Sequence, residues 1–492
     1  MTTFLALDLG AESGRAVIAH LHDDRLRLTE IHRFPNEPVR VGASLHWDVL
    51  RLWHEIKHGL ALAAQEHGVG LSAIGLDTWG VDFCLLAAGD TLLGNPHHYR
   101  DPRTEGMMEA AFELVPRAEI YRRTGIQFMP LNTLYQLLAM ARAGAPALAA
   151  ATTFLTLPDL LNFWLSGVKA NEFTVATTTQ CYDPLAGDWA RDLLQRLGIP
   201  TRIFGGSGTR LVPPGTLLGG LSAPVRDDTG SPPIPVVATA CHDTAAAVAA
   251  VPAAGPDYIY LSSGTWSLMG IERQEPLITA QSLAYDFTNE GGVGGTFRLL
   301  KNIAGLWLVQ ECRRTWARGG HSYTYDDLTG MAAAAPPFGP LVSPSDPRFL
   351  PPGDVPARIQ AYCRDTGQSV PETRGEIVRC ALESLALEYR RVAGSLRQIT
   401  GLPLATLHIV GGGSRSALLN QFAANATGAT VVAGPVEATA IGNVLVQAIA
   451  LGHLPDLAAG RALVRRSFEL RTYHPHDPAA WDEAYDRYLK SR

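Results

Sequence analysis

Two stretches decide how this chain is read: FLALDLGAESGRAVIAHL at residues 4–21 and YIYLSSGTWSLMGIE at residues 258–272. Each joins two apolar, β-rich runs through a Gly/Ser/Thr turn, the pattern of a hairpin. Glycine lets backbone approach an anion closely, and successive N–H groups at such a turn form an anion-binding concavity. One such hairpin is usually only a turn. Two of them, about half a chain apart, predict that each half opens its own sheet with a turn suited to phosphate.

The 492 residues exceed what one hydrophobic core supports, so two domains are expected, divided here as 1–247 and 248–492. With 46% hydrophobic and 18% charged residues, the chain is globular rather than disordered. A net charge of -6, with 41 basic residues and no basic run, offers no footprint for nucleic acid. The opening MTTFLALDLG lacks a basic stretch and meets Asp8 early, and no apolar run approaches about 18 residues. Neither export nor a membrane partner is expected, and the chain reads as cytoplasmic. Cys84, Cys181, Cys241, Cys312, Cys363 and Cys380 contain no C-x-x-C pair and fit reduced core thiols. Cys363 and Cys380 are close in sequence, and their pairing stays open. His97 and His98 lack partners at metal-ligand spacing and read as an exposed loop pair.

Behind Asp48 as N-cap, Val49, Leu52, Ile56, Leu60 and Ala63 share one helical face. LSAIGLD (71–77) reads as a buried strand, and VDFCLLAAGDTLLG (81–94) as a hairpin turning at Gly89 and Asp90. Helical patterns follow at 104–115, 133–142 and 159–165. Beyond a Pro/Gly-rich stretch at 205–235, IPVVATACHDTAAAVAAVP predicts a strand, a polar turn and a small-residue helix. Ile377, Ala381, Leu385, Tyr389, Val392 and Leu396 keep helical spacing up to Gly401, after which strands and helices alternate again. This alternation predicts an α/β fold in both halves.

Several residues could carry chemistry. Asp8 closes an apolar strand just before Gly10, where a carboxylate can hold magnesium or its water shell, or simply bond nearby amides. DTWGVD (77–82) sets two carboxylates and an indole around Gly80 at a strand end, the ligand side of an α/β sheet, although acids there also cap turns. Asp243, in HDT, leaves the strand-to-helix junction where a general base for phosphoryl transfer belongs; the alternative is a helix cap. VGGGS (410–414) suits close approach of an adenine or ribose, but has neither the G-x-G-x-x-G spacing nor the G-K-[ST] of a Walker loop.

In order along the chain, DLGAESGR, DTWGVDFCLL, YRDPRT, GIQFMPLNTLYQL, LPDLLNFWLSG, HDT, LSSGTWSLMG, KNIAGLWLVQE, LHIVGGGS and EATAIGN resemble the FGGY carbohydrate kinases, from Phe4 to about Gly452. The resemblance implies two actin-like, ribonuclease-H-like domains with an ATP cleft between them. It puts Ala11, Glu12, Ser13, Gly14 and Arg15 at the first nucleotide turn, and Thr265, Gln310 and Gly412 on ATP. It puts Gly80, His242, Asp243, Thr244 and Asn302 on the sugar, with Asp243 as proton acceptor, Asp8 beside Mg²⁺, and the C1 hydroxyl of L-rhamnulose as the site phosphorylated. Glu12 departs from a small serine of the family, and a carboxylate beside phosphates repels unless it faces solvent or the metal, so contact through its side chain or through its backbone N–H stays open. A kinase for L-fuculose, L-ribulose, D-xylulose or glycerol is the enzymatic alternative. An actin-like protein switched by ATP is the non-enzymatic one. Monomer and homodimer are both open.

Overall fold

The computed structural model describes residues 1–67 and 70–491. The opening hairpin forms. Strands β1 (Thr2–Leu9) and β2 (Ser13–His22) pair antiparallel, with the Gly10 N–H donating to the Ser13 carbonyl at 3.0 Å across the turn. With β3 (Arg25–Pro35), β4 (Leu71–Thr78), β5 (Thr216–Gly220) and β6 (Pro235–Ala238) they form a sheet in the order β5-β6-β4-β1-β2-β3. β4 runs parallel to both β1 and β6, so the carboxyl ends of these three strands reach one edge. Parallel strands covered on both faces read as continuous apolar runs, as FLAL and AIGL do.

The helix Val49–His67 buries Val49, Leu52, Ile56, Leu60 and Ala63 in the core of this sheet, each of the larger ones contributing about 1.5–3 kcal/mol relative to exposure. The Asp48 carboxylate accepts from the Arg51 N–H at 3.1 Å, the cap its position predicted. The helix Thr133–Arg142 forms as expected, and Leu157–Ser166 ends at left-handed Gly167.

Three local expectations are corrected. The turn at Gly89 forms, but Phe83–Leu86 takes Thr153–Thr156 as its strand partner and meets the returning arm only in the bridge Leu86–Leu92. The pattern at 104–115 splits into a short 3-10 turn, Pro102–Thr104, and a helix, Met107–Leu114, because Gly106 is left-handed. His98 is buried rather than exposed, its ring 4.2 Å from Trp47 and 4.5 Å from Tyr99. Burial first, and then Arg100, push its pKa down to about 3.

Two compact units emerge, interleaved along the chain. Unit 1 comprises Met1–Ala250, Glu272–Leu299 and Ala438–Ser467; unit 2 comprises Val251–Ile271, Leu300–Glu437 and Phe468–Arg492. Buried polar contacts explain both returns to unit 1. Tyr121 donates to the Phe287 carbonyl at 2.8 Å, and the Gly291 N–H donates to Thr177 Oγ1 at 2.7 Å. In the later segment, Asn443 donates to Asp77 at 2.6 Å and Gln447 donates to the Leu5 carbonyl at 3.0 Å.

Unit 2 carries strands β7 (Tyr258–Ser263), β10 (Thr406–Val410), β11 (Thr430–Ala433) and β12 (Arg471–Tyr473) and most of β8 (Ser267–Arg273) and β9 (Phe297–Ile303), hydrogen-bonded in the order β9-β8-β7-β10-β11-β12. Its long helix, Arg374–Thr400, starts at a Thr373/Glu376 capping box and stops at left-handed Gly401. All six cysteines are buried free thiols, Cys363 and Cys380 included. No described helix is long and apolar enough to cross a membrane.

Candidate active site

The parallel register of β1 and β4 sets Asp8 directly beside Asp77, and the antiparallel register of β1 and β2 sets Asp8 beside Arg15. Arg15 grips Asp8 Oδ2 through Nη2 at 2.7 Å and Nε at 3.1 Å. Asp77 is wholly buried. One of its oxygens accepts from Asn443, while among the described residues no donor reaches its buried Oδ1. Burial first, then Asp8, hold the Asp77 carboxyl well above the usual carboxylate range. Sequence reasoning quoted Asp77 within DTWGVD without giving it a role; the strand register supplies the missing signal.

Asp243 joins these two carboxylates electrostatically. The β4 end is bridged to His242, and the Thr78 N–H donates to the Cys241 carbonyl at 2.9 Å. Asp243 then opens the helix Asp243–Ala249. Its Oδ1 accepts from the Thr244 N–H at 2.6 Å and from Thr244 Oγ1 at 3.2 Å, with His242 Nε2 at 3.4 Å. Among the described residues no hydrogen bond or ion pair reaches Oδ2, and the side chain is 30% exposed. One oxygen is therefore fixed while the other stays open. Burial, and secondarily Asp8, push the Asp243 pKa up to about 7, which suits a base that works near neutral pH.

The junction is anchored from behind. Glu172, fully buried, accepts from the Cys241 N–H at 3.2 Å and from Thr174 Oγ1 at 2.5 Å, and Thr174 Oγ1 in turn accepts from the His242 N–H at 3.2 Å. Gly80 follows β4 at a turn where Val81, at φ 67, is held left-handed. The Val81 N–H donates to Thr178 Oγ1 at 3.1 Å, and its carbonyl accepts from Thr133 Oγ1 at 2.5 Å. A β-branched residue persists there only when such bonds over-determine it. Beside it, buried Asp82 accepts from the indoles of Trp47 and Trp79 at 2.5 and 2.8 Å, so this second acid of DTWGVD is structural.

The first turn presents Ala11, Glu12 and Ser13 at the surface end of the β1/β2 hairpin, above buried Gly14 and half-buried Arg15. The Glu12 side chain is exposed, while its carbonyl accepts from the Asn36 N–H at 3.0 Å. Thus Asp8, Ala11, Glu12, Ser13, Gly14, Arg15, Gly80, His242, Asp243 and Thr244 all belong to unit 1, and Asn302, on β9, belongs to unit 2.

Within unit 2 the remaining predicted residues converge. The Leu306 and Trp307 N–H groups donate to the Gly264 and Thr265 carbonyls at 3.1 and 3.0 Å, which ties the β7/β8 turn to the start of the helix Trp307–Arg318. Gln310 lies on that helix one turn in, its buried Oε1 reached by no donor among the described residues. The Gly411–Gly413 turn closes on the same strand end. A Cβ at Gly413 would overlap Ser263 Oγ, so only glycine fits there, and Gly412 beside it stands exposed.

Among the described residues no group of three or more His, Cys, Asp or Glu is arranged to hold a metal. The buried, donorless Oδ1 of Asp77 next to Asp8 fits instead a cation held by one or two carboxylates and completed by phosphate and water oxygens.

Residues 3–250 match the N-terminal domain, and residues 259–451 the C-terminal domain, of the FGGY family of carbohydrate kinases. The chain belongs to this family, whose members are ATP-dependent phosphotransferases acting on sugars. It is 49% identical over 482 residues to the rhamnulokinase of Bacteroides thetaiotaomicron, with 98% of each chain covered. It is 40% identical to the rhamnulokinase of Oceanobacillus iheyensis, covering 95% of this chain and 97% of that one. The fold is the two-domain, actin-like and ribonuclease-H-like fold of sugar kinases. Ligand-bound xylulose kinase from Lactobacillus acidophilus superposes with a TM-score of 0.83 at 16% identity, covering 100% of this chain and 97% of that chain.

Proposed function

We propose that this protein phosphorylates the C1 hydroxyl of L-rhamnulose with ATP, yielding L-rhamnulose 1-phosphate and ADP. The observation that carries the reading is the Asp243 carboxylate, with Oδ1 engaged by Thr244 and Oδ2 open at the strand-to-helix junction. In the proposed step the sugar hydroxyl gives its proton to Oδ2 and its oxygen bonds to the γ-phosphorus. The bond from that phosphorus to the β,γ-bridging oxygen breaks, and ADP leaves. Such transfer needs alignment, a proton acceptor and charge stabilisation rather than covalent help from the protein.

Gly80, His242, Thr244 and Asn302 are proposed to bind the sugar. The backbone of Ala11, Glu12, Ser13 and Gly14, with Arg15, is proposed to hold phosphate, and Thr265, Gln310 and Gly412 the nucleotide. The donorless Gln310 Oε1 and the exposed Gly412 support the last assignment. Mg²⁺ would be held by Asp8 and Asp77 with the phosphates, and when bound would neutralise charge on the transferring group. Names of the relatives at 40% and 49% identity support rhamnulose as the sugar. Free buried thiols support a reducing, cytoplasmic setting.

The test is a panel of L-rhamnulose, L-fuculose, L-ribulose, D-xylulose and glycerol with the purified protein, read by coupled ADP formation. The reading expects the highest kcat/KM for L-rhamnulose and slow ADP release without sugar. Preference for another acceptor overturns the substrate, and sugar-independent ATPase activity overturns the kinase.

A further inference from the structure

Behind the base lies a buried charge network that the reading above does not use. Arg298, on β9, is fully buried, and its guanidinium donates from Nε to the Gly291 carbonyl at 2.9 Å and from Nη2 to Glu290 Oε2 at 3.1 Å. The same Nη2 lies 3.0 Å from His242 Nδ1. All of these residues are in unit 1.

A guanidinium carries donors only and stays charged, so the imidazole nitrogen it faces must offer a lone pair. Burial and the neighbouring Arg298 hold the His242 pKa well below its usual range, leaving a neutral ring with one proton. With Nδ1 as acceptor, that proton sits on Nε2, which is 3.4 Å from Asp243 Oδ1. We propose that Arg298 is a positioning residue that locks His242 in the Nε2–H tautomer, so that histidine presents a donor, and not a lone pair, to the fixed oxygen of Asp243.

The alternative tautomer would place its proton on Nδ1, 3.5 Å from Glu290 Oε2. It would turn the Nε2 lone pair on the Asp243 carboxylate. Repulsion between them would swing Oδ1 off its Thr244 donors and displace the open oxygen that receives the proton. Arg298 closes that route by occupying both Nδ1 and Glu290. Its sequence signal was faint: one charge inside the apolar run FRLL.

The proposal rests on Asp243 as the base, but its main test does not need turnover. Histidine-selective ¹⁵N labelling of the wild-type protein, free of ATP and sugar, reports which ring nitrogen is protonated, with the signal assigned by its loss in His242→Gln. Protonated Nε2 and unprotonated Nδ1 are expected between pH 6 and 8. Arg298→Gln should release a population with protonated Nδ1 and lower kcat by at least ~10-fold and up to ~10²-fold, the scale of misplacing a reacting group. Its KM for ATP should stay within about 2-fold, and Arg298→Lys, again donor-only, should retain the tautomer. Protonated Nδ1 in the wild type, or an unchanged tautomer and kcat in Arg298→Gln, overturns the proposal. If Arg298→Gln does not fold, the wild type and Arg298→Lys decide it. A protein with protonated Nε2 that phosphorylates no sugar loses the functional reading and keeps the tautomer.

Discussion

Asp243 shows how one side chain acquires a role from its surroundings. A carboxylate ordinarily titrates near 4, yet burial and the charge of Asp8 push this one up to about 7. Because the base must be deprotonated to accept the hydroxyl proton, kcat/KM for the sugar should rise with pH through about 7 and level off above it. An initial-rate profile at saturating ATP checks this, and a profile flat down to pH 5 would contradict it. The order HDT after an apolar strand made Asp243 legible in the sequence, as it did the neighbours His242 and Thr244. The proximity of Asp8 that tunes it was not legible, since Asp8 is aligned with the end of β4 by parallel strand register rather than by spacing along the chain.

At the scale of elements, the helices Asp243–Ala249 and Ala438–Ala450 decide where that carboxylate stands. They cross so closely that a Cβ at Gly442 would overlap the Ala246 carbonyl oxygen, and backbone cannot yield as a flexible side chain does. Gly442→Ala should therefore cost roughly 1–3 kcal/mol, the usual penalty of overpacking, read as a lower urea midpoint; an unchanged midpoint would mean the crossing is loose. Here helical pattern was readable, with Thr133–Arg142 and the end of Arg374–Thr400 at Gly401 anticipated from spacing and glycine. Strand partners were not. Phe83–Leu86 folds back on its neighbour only at the bridge Leu86–Leu92, and takes Thr153–Thr156 as its strand partner. Local turn chemistry carries no information about a partner some seventy residues away.

For the whole molecule, the two glycine turns announced the two large sheets, and the alternation of strands and helices announced their class. The interleaving was hidden because it depends on buried contacts such as Asn443 with Asp77, between residues hundreds of positions apart. The account divides labour accordingly: unit 1 holds the proposed base, and unit 2 holds Thr265, Gln310 and Gly412, the proposed nucleotide contacts. Chemistry and nucleotide binding should then separate on mutation. The most direct measurement is Asp243→Asn, comparing kcat with L-rhamnulose against ATP affinity measured by calorimetry. The account predicts a loss of at least ~10²-fold in kcat with ATP affinity retained; near-normal turnover would contradict it.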